Sequence, residues 1–167
     1  MTNKKINDSG FSLVELIVVV LIMAIIAVAL APQVMKWVHN SRLAADVQTR
    51  DSIKEQCELA LTDNAAFNKV KDGGYSITLT KTGDNAPVYS YTEAGGTPVV
   101  TPTSSDVYWN SLLEKCGVDD FNQFEDLFTI KSDPGSGSIV IRIDVYEEGY
   151  TRASITGLEG NEDIEVS

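Results

Sequence analysis

The stretch that decides the fold is the apolar run at residues 11–31, FSLVELIVVVLIMAIIAVALA. Glu15 is the only charged residue in it. An α-helix rises about 1.5 Å per residue, so a helix over this run is roughly 30 Å long and can cross the hydrocarbon core of a bilayer. Lys4 and Lys5 precede the run. They favour a cytoplasmic N-terminus, which places the rest of the chain on the outer side of the membrane.

A removable secretory signal peptide is the alternative interpretation of this run, because small residues near its end imitate an Ala-x-Ala cleavage site. These residues are Ala24, Ala27, Ala29 and Ala31. The apolar region of a signal peptide has about 7–15 residues, and this run is longer. A retained helix is therefore favoured.

Gly10 and the residues after it, Phe11-Ser12-Leu13-Val14-Glu15, resemble the processing site of type IV prepilins and type II secretion pseudopilins. The resemblance implies that a membrane peptidase cuts between Gly10 and Phe11 and methylates the new N-terminal Phe11. Residues 1–10 are then a prepilin leader. The family also has a glutamate four residues after this phenylalanine and often a proline 21 residues after it, and Glu15 and Pro32 occupy these positions.

Glu15 is the anomalous residue of the helix. A carboxylate at the centre of a bilayer costs about 2.5–3.5 kcal/mol, and such charges usually have a partner. The resemblance implies that this partner is the free amino group of Phe11 on a neighbouring subunit, which makes Glu15 an assembly residue. A charge tolerated near the lipid headgroups is the alternative. Pro32 removes one helical hydrogen bond, so we expect a kink there.

The resemblance implies an α+β, pilin-like fold, in which a long N-terminal helix packs on a C-terminal antiparallel β-sheet. Residues 11–32 are the transmembrane or filament-core helix, and residues 33–70 are its amphipathic continuation. The helix is expected to continue through about Ala66, and its roughly 55 residues would be on the order of 80 Å long. Arg50 interrupts the apolar face of the continuation, and we expect it to snorkel or to meet an acidic residue across the domain.

Residues 71–167 are predicted to form a globular antiparallel-sheet domain with loops and a short helix over 107–115. Period-two alternation predicts the strands. They are 75–80, 88–92, 128–131, 139–146 and 150–155, with a hairpin turn at Pro134-Gly135. The apolar face of the fourth strand should lie on the long helix. Phe121, Phe124 and Leu127 lie at helical spacing among acidic residues. The two aromatic residues are expected in the core, and the acids on a solvated face.

The two cysteines, Cys57 and Cys116, lie in a domain that should be exported, where oxidation is possible. A disulfide between them would tie the long helix to the middle of the globular domain. Two separate buried thiols are the alternative. His39 is the only histidine, and no metal site or cofactor is predicted.

The formal net charge of −11 becomes −12 without the leader, which carries Lys4, Lys5 and Asp8. Such a surface repels phosphate backbones, so direct nucleic-acid binding is not expected. The sequence contains no Ser/His/Asp set, phosphate loop or metal-ligand spacing, and this disfavours an enzyme.

Three functions compete. The favoured one is a structural subunit of a type IV pilus, acting in adhesion or motility, because an acidic, loop-rich domain suits an exposed filament. The resemblance implies identical and related pilin subunits, a prepilin peptidase/methyltransferase, an assembly platform and an ATPase as partners. The chain would wait in the membrane as a single-pass protein and end at the cell surface. A pseudopilin of a type II secretion or competence DNA-uptake system is the alternative, and an anchored receptor or enzyme is the third.

Overall fold

The computed structural model describes residues 12–93, 96–103 and 105–157, and the backbone of residues 164–166. The chain divides into two compact units, Met1–Val38 and His39–Ser167. The helices are α1 (Leu13–Ala60), α2 (Asn64–Val70), α3 (Val107–Cys116) and α4 (Phe121–Leu127). The strands are β1 (Tyr75–Thr82), β2 (Val88–Glu93), β3 (Ser138–Val145), β4 (Thr151–Thr156) and β5 (Ile164–Val166). A long N-terminal helix followed by an antiparallel sheet confirms the predicted α+β, pilin-like architecture.

The helix α1 ends at Ala60, before the predicted limit near residue 70. The backbone N–H of Asp63 donates to the Ala60 carbonyl in a tight turn. The Asp63 carboxylate then accepts a hydrogen bond from the Ala65 N–H at 2.9 Å and starts α2. Aspartate competes with the helical backbone in this way and favours the N-cap position. The predicted continuous helix over 33–70 is therefore corrected to two helices with a turn between them.

Within the second unit, α1 buries a narrow apolar face. Ile53, Cys57 and Ala60 are fully buried. Arg50 is also buried, but its guanidinium bonds to the carboxylate of the next residue, Asp51, at 2.6 Å. The side chain therefore reaches an acidic partner on its own helix, and that partner is exposed to solvent.

The sheet has the strand order β2-β1-β3-β4-β5, and its neighbouring strands are antiparallel. In β1, Ile77 lies opposite Tyr91 of β2 and Ile143 of β3. Alternate residues of β3 face the core, as predicted; the buried ones are Ile139, Ile141, Ile143 and Val145. They share one hydrophobic cluster with Ile53 and Cys57 of α1. The α1 face and the β3 face are thus parts of the same core.

Residues 128–131 are not a strand, so the predicted hairpin with a turn at Pro134-Gly135 is wrong. The N–H groups of Lys131 and Ser132 donate instead to the two carboxylate oxygens of Asp46, at 2.6 and 2.9 Å. Asp46 is fully buried on α1. The two edges of β3 pair with β1 and β4, so neither edge is open to residues 128–131.

The short helix α3 begins and ends as its sequence predicted. Asp106 is its N-cap and accepts hydrogen bonds from the N–H groups of Tyr108 and Trp109 at 2.9 and 3.1 Å. Gly117 follows the helix in the left-handed conformation, with φ of 70°. These caps hold Trp109 inside the core, where its ring meets that of Tyr91 edge to face, with centroids 5.6 Å apart.

The helix α4 contributes two of its three apolar residues to the core. Phe121 and Phe124 are buried, which confirms their prediction. Leu127, at the same helical spacing, is 54% exposed. A helix of seven residues makes two turns, and its last residue here lies beyond the face that the two phenylalanines occupy.

Candidate functional site

The first functional feature is the apolar segment of α1, residues 13–31. By length and composition it could cross a membrane, and none of its most apolar 18-residue window is buried inside the structure. Leu13 and Val28, near its two ends, are 73% and 77% exposed. Soluble monomers rarely leave such a continuous apolar surface uncovered. The segment therefore needs lipid or other helices around it.

Glu15 has a partner in its own chain that the sequence analysis missed. The backbone N–H of Ser12 donates to Glu15 Oε2 at 3.0 Å, while the Ser12 carbonyl accepts from the Leu16 N–H. This is one half of a capping box, in which a glutamate satisfies an N–H that precedes the helix. The Ser12-x-x-Glu15 spacing was the available signal for it.

The capping bond leaves Glu15 able to bind a second donor. A carboxylate has two oxygens and about four acceptor positions, and Ser12 occupies one of them. The side chain lies in the first turn of α1 and is exposed, where the positive end of the helix dipole favours a negative charge. A cationic group from another molecule could therefore reach the carboxylate while the cap persists.

The other residues of the predicted processing site are not part of the described structure. Gly10 and Phe11 lie outside the described residues, so cleavage between them and methylation of Phe11 remain predictions. Pro32 lies inside α1, which continues through it as α-helix. A kink at Pro32 also remains a prediction.

Cys57 and Cys116 are free thiols in the structure, and Cys57 is buried while Cys116 is half-buried. Both thiols lie near the hydroxyl of Tyr108, whose pKa is raised mainly by burial. Burial also raises the pKa of Cys116 to about 12. A thiol of that pKa is protonated at neutral pH and a poor nucleophile. The disulfide between the two cysteines remains a prediction.

The acidic residues around α4 serve the fold. Asp120 caps the helix by accepting from the Gln123 N–H at 2.9 Å. Glu125 accepts a hydrogen bond from the Tyr91 hydroxyl at 3.2 Å. Across the described ranges, no group of three or more His, Cys, Asp or Glu side chains is arranged to hold a metal ion.

Comparison with known families gives one match at the N-terminus. Residues 5–31 match the model of the prokaryotic N-terminal methylation motif. The chain carries the prepilin signature of type IV pilins and pseudopilins. The motif implies processing by a prepilin peptidase and association with pilin subunits. With the single apolar helix it fits membrane anchoring before assembly. No solved structure matches the chain.

Proposed function

We propose that the chain is the structural subunit of an extracellular type IV filament. The observation that carries this proposal is the coincidence of the methylation motif at residues 5–31 with an uncovered apolar helix in the same place. A simple membrane anchor needs the helix but not the motif. In this proposal the chain has no catalytic role, and it serves adhesion or motility as part of the filament.

The proposed assembly moves the apolar segment from lipid into a bundle of identical or related helices. Lipid tails are as apolar as leucine side chains, so this transfer gains little from the hydrophobic effect, and packing and polar contacts must direct it. Glu15 supplies the polar contact by pairing with the amino group of Phe11 on the neighbouring subunit. In a dry bundle such a pair interacts far more strongly than at a water-exposed surface. It can therefore fix the register of each incoming subunit.

Processing creates the partner that Glu15 needs. Cleavage after Gly10 turns the amide nitrogen of Phe11 into an amino group, which is protonated near neutral pH even when methylated. Without cleavage this nitrogen stays in a neutral peptide bond, and the Glu15 pair cannot form. A membrane assembly platform and a cytoplasmic ATPase would then draw processed subunits into the filament.

Electron microscopy of material sheared from the cell surface tests the proposal, with antibody labelling of this chain. We expect labelled filaments from the wild type and none from Gly10→Val, whose chain should keep its leader and stay in the cell membrane. Ser9→Ala, one residue before the cleavage site, is the matched control and should assemble normally. A wild-type chain found only as a membrane-retained monomer would refute the filament function. Short filaments confined to the cell envelope would favour the pseudopilin alternative.

A further inference from the structure

The part of α1 just beyond the apolar segment is both basic and exposed. Residues 33–45, which we call the basic collar, include Lys36, His39 and Arg42 and no acidic residue. All three side chains are exposed. Neither Lys36 nor Arg42 forms a salt bridge with any described residue. Trp37 is 64% exposed, but at 100° per residue it lies on the opposite side of α1 from the face that Lys36 and Arg42 share.

The chain beyond the collar has the opposite charge. Residues 46–157 contain 18 acidic and 9 basic residues, a net charge of −9, whereas the collar has a net charge of +2. Exposed charges interact only over about 8–10 Å at ordinary ionic strength. A surface that binds the collar must therefore carry carboxylates that come close to the basic side chains.

One cleft in the second unit presents carboxylates in this way. It has a volume of about 400 Å³ and is lined by Glu93, Glu147 and Glu148, among others. The arginine in its wall, Arg142, is held by Asp144, with Nε 2.9 Å from each carboxylate oxygen. The three glutamates make no salt bridge within the described part of the chain. The cleft is therefore a local excess of negative charge.

A fixed pair of tyrosines stands beside these glutamates. The rings of Tyr146 and Tyr150 stack with centroids 4.5 Å apart and planes 16° apart, and Tyr150 is 54% exposed. The turn that carries them packs closely on Phe67, since a Cβ at Gly149 would come within 2.5 Å of that ring. Gly149 has φ of +87°, which favours glycine. An exposed tyrosine face next to carboxylates suits a lysine, an arginine or an indole ring.

We propose that the basic collar of one copy of this chain docks on the acidic cleft of a second copy. Lys36 and Arg42 would meet Glu147 and Glu148, and one of these two cations would lie over the exposed ring of Tyr150. The two surfaces lie on different parts of the chain, so the contact is heterologous. Repeated heterologous contacts that do not close into a ring generate a helical filament. This inference rests on the proposed filament function. It identifies a contact between subunits that lies outside the bundle of apolar helices.

Charge reversal with rescue tests the docking in the full-length chain. Lys36→Glu/Arg42→Glu places like charges together, and so does Glu147→Lys/Glu148→Lys. We expect each double variant to lower the ratio of sheared filament to cell-retained chain about tenfold, which corresponds to about 1.4 kcal/mol. The variant with all four changes should recover to within about threefold of the wild type, because the charges are exchanged and opposite again.

Asp119→Lys/Asp126→Lys is the matched control for Glu147→Lys/Glu148→Lys, because it makes the same charge change at two exposed residues, one before α4 and one within it. It should assemble like the wild type. The amount of cell-retained chain reports folding, and if a reversal variant is degraded, the neutral pair Lys36→Gln/Arg42→Gln replaces it. That neutral pair should also lower the ratio of sheared filament to cell-retained chain, but by less than the charge reversal does.

Each remaining outcome overturns the docking in a recognisable way. Wild-type filament yields from both double variants would refute it and leave the filament function standing. A fourfold variant as defective as either double variant would also refute it. Lipid is the collar's partner if only the Lys36/Arg42 reversal assembles poorly and the purified chain loses binding to phosphatidylglycerol vesicles. If the wild type forms no filament, the proposed function fails and the docking fails with it.

Discussion

Asp46 is the residue whose replacement should damage the globular unit most directly. Its carboxylate is fully buried and accepts hydrogen bonds from the N–H groups of Lys131 and Ser132 at 2.6 and 2.9 Å. These bonds link α1 to the segment before β3, 85 residues away along the chain. Asp46→Ala removes both acceptors at once and leaves two backbone donors without a partner.

The expected cost of Asp46→Ala is about 3–5 kcal/mol, because hydrogen bonds to a charged group contribute about 1.5–3 kcal/mol each. Domains of this size have a free energy of unfolding of about 5–15 kcal/mol, so the loss is a large share of the total. Asp46→Asn keeps one acceptor oxygen and should cost about half as much. Asp84→Asn, at an exposed turn, is the matched control and should cost less than about 0.5 kcal/mol.

Urea unfolding of the full-length chain in detergent micelles measures these differences, with Trp109 fluorescence as the probe of the core. Hydrogen exchange adds a local measurement, because the amides of Lys131 and Ser132 should lose protection in Asp46→Ala. An Asp46→Ala chain within about 0.5 kcal/mol of the wild type would refute the reasoning. Unchanged protection of both amides would refute it independently.

Two further predictions concern the assembly residue and the cysteines. Glu15→Gln keeps an acceptor for the Ser12 N–H but removes the negative charge. The chain should therefore insert in the membrane normally and fail to appear in sheared filaments. A normal filament yield would contradict the proposed role of the charge. Glu15→Leu should fail in the same assay and also lose the cap. Exported chain denatured without reductant should not react with maleimide at Cys57 or Cys116, and reaction of both thiols would contradict the disulfide. A disulfide between these cysteines would close a loop of about 60 residues. Removing it in Cys57→Ser/Cys116→Ser should therefore lower the free energy of unfolding by about 4 kcal/mol.

Features encoded by neighbouring residues were predictable from the sequence. The alternation from Ile139 to Val145 places one side of β3 in the core because successive side chains in a strand point to opposite faces. Asp106 and Gly117 bound α3 because their local preferences favour helix ends. The apolar segment was also predictable, because its hydropathy depends only on its own composition.

Features that depend on distant residues were not predictable. Residues 128–131 have the composition of a strand, but Asp46 takes two N–H groups of that region from 85 residues away. Nothing near residue 130 indicates such a partner. The cap between Ser12 and Glu15 is a different case, because its spacing is visible in the sequence.

The most direct test of the filament account is the mass of the N-terminal peptide from subunits in sheared surface filaments. We expect a peptide that begins at Phe11 and carries one additional methyl group on its amino nitrogen. A peptide that begins at Met1 would contradict it, because an uncut chain has no amino group at Phe11 to pair with Glu15. A peptide that begins after residue 31 would contradict it equally, since the chain would then have lost its apolar segment as a secretory signal.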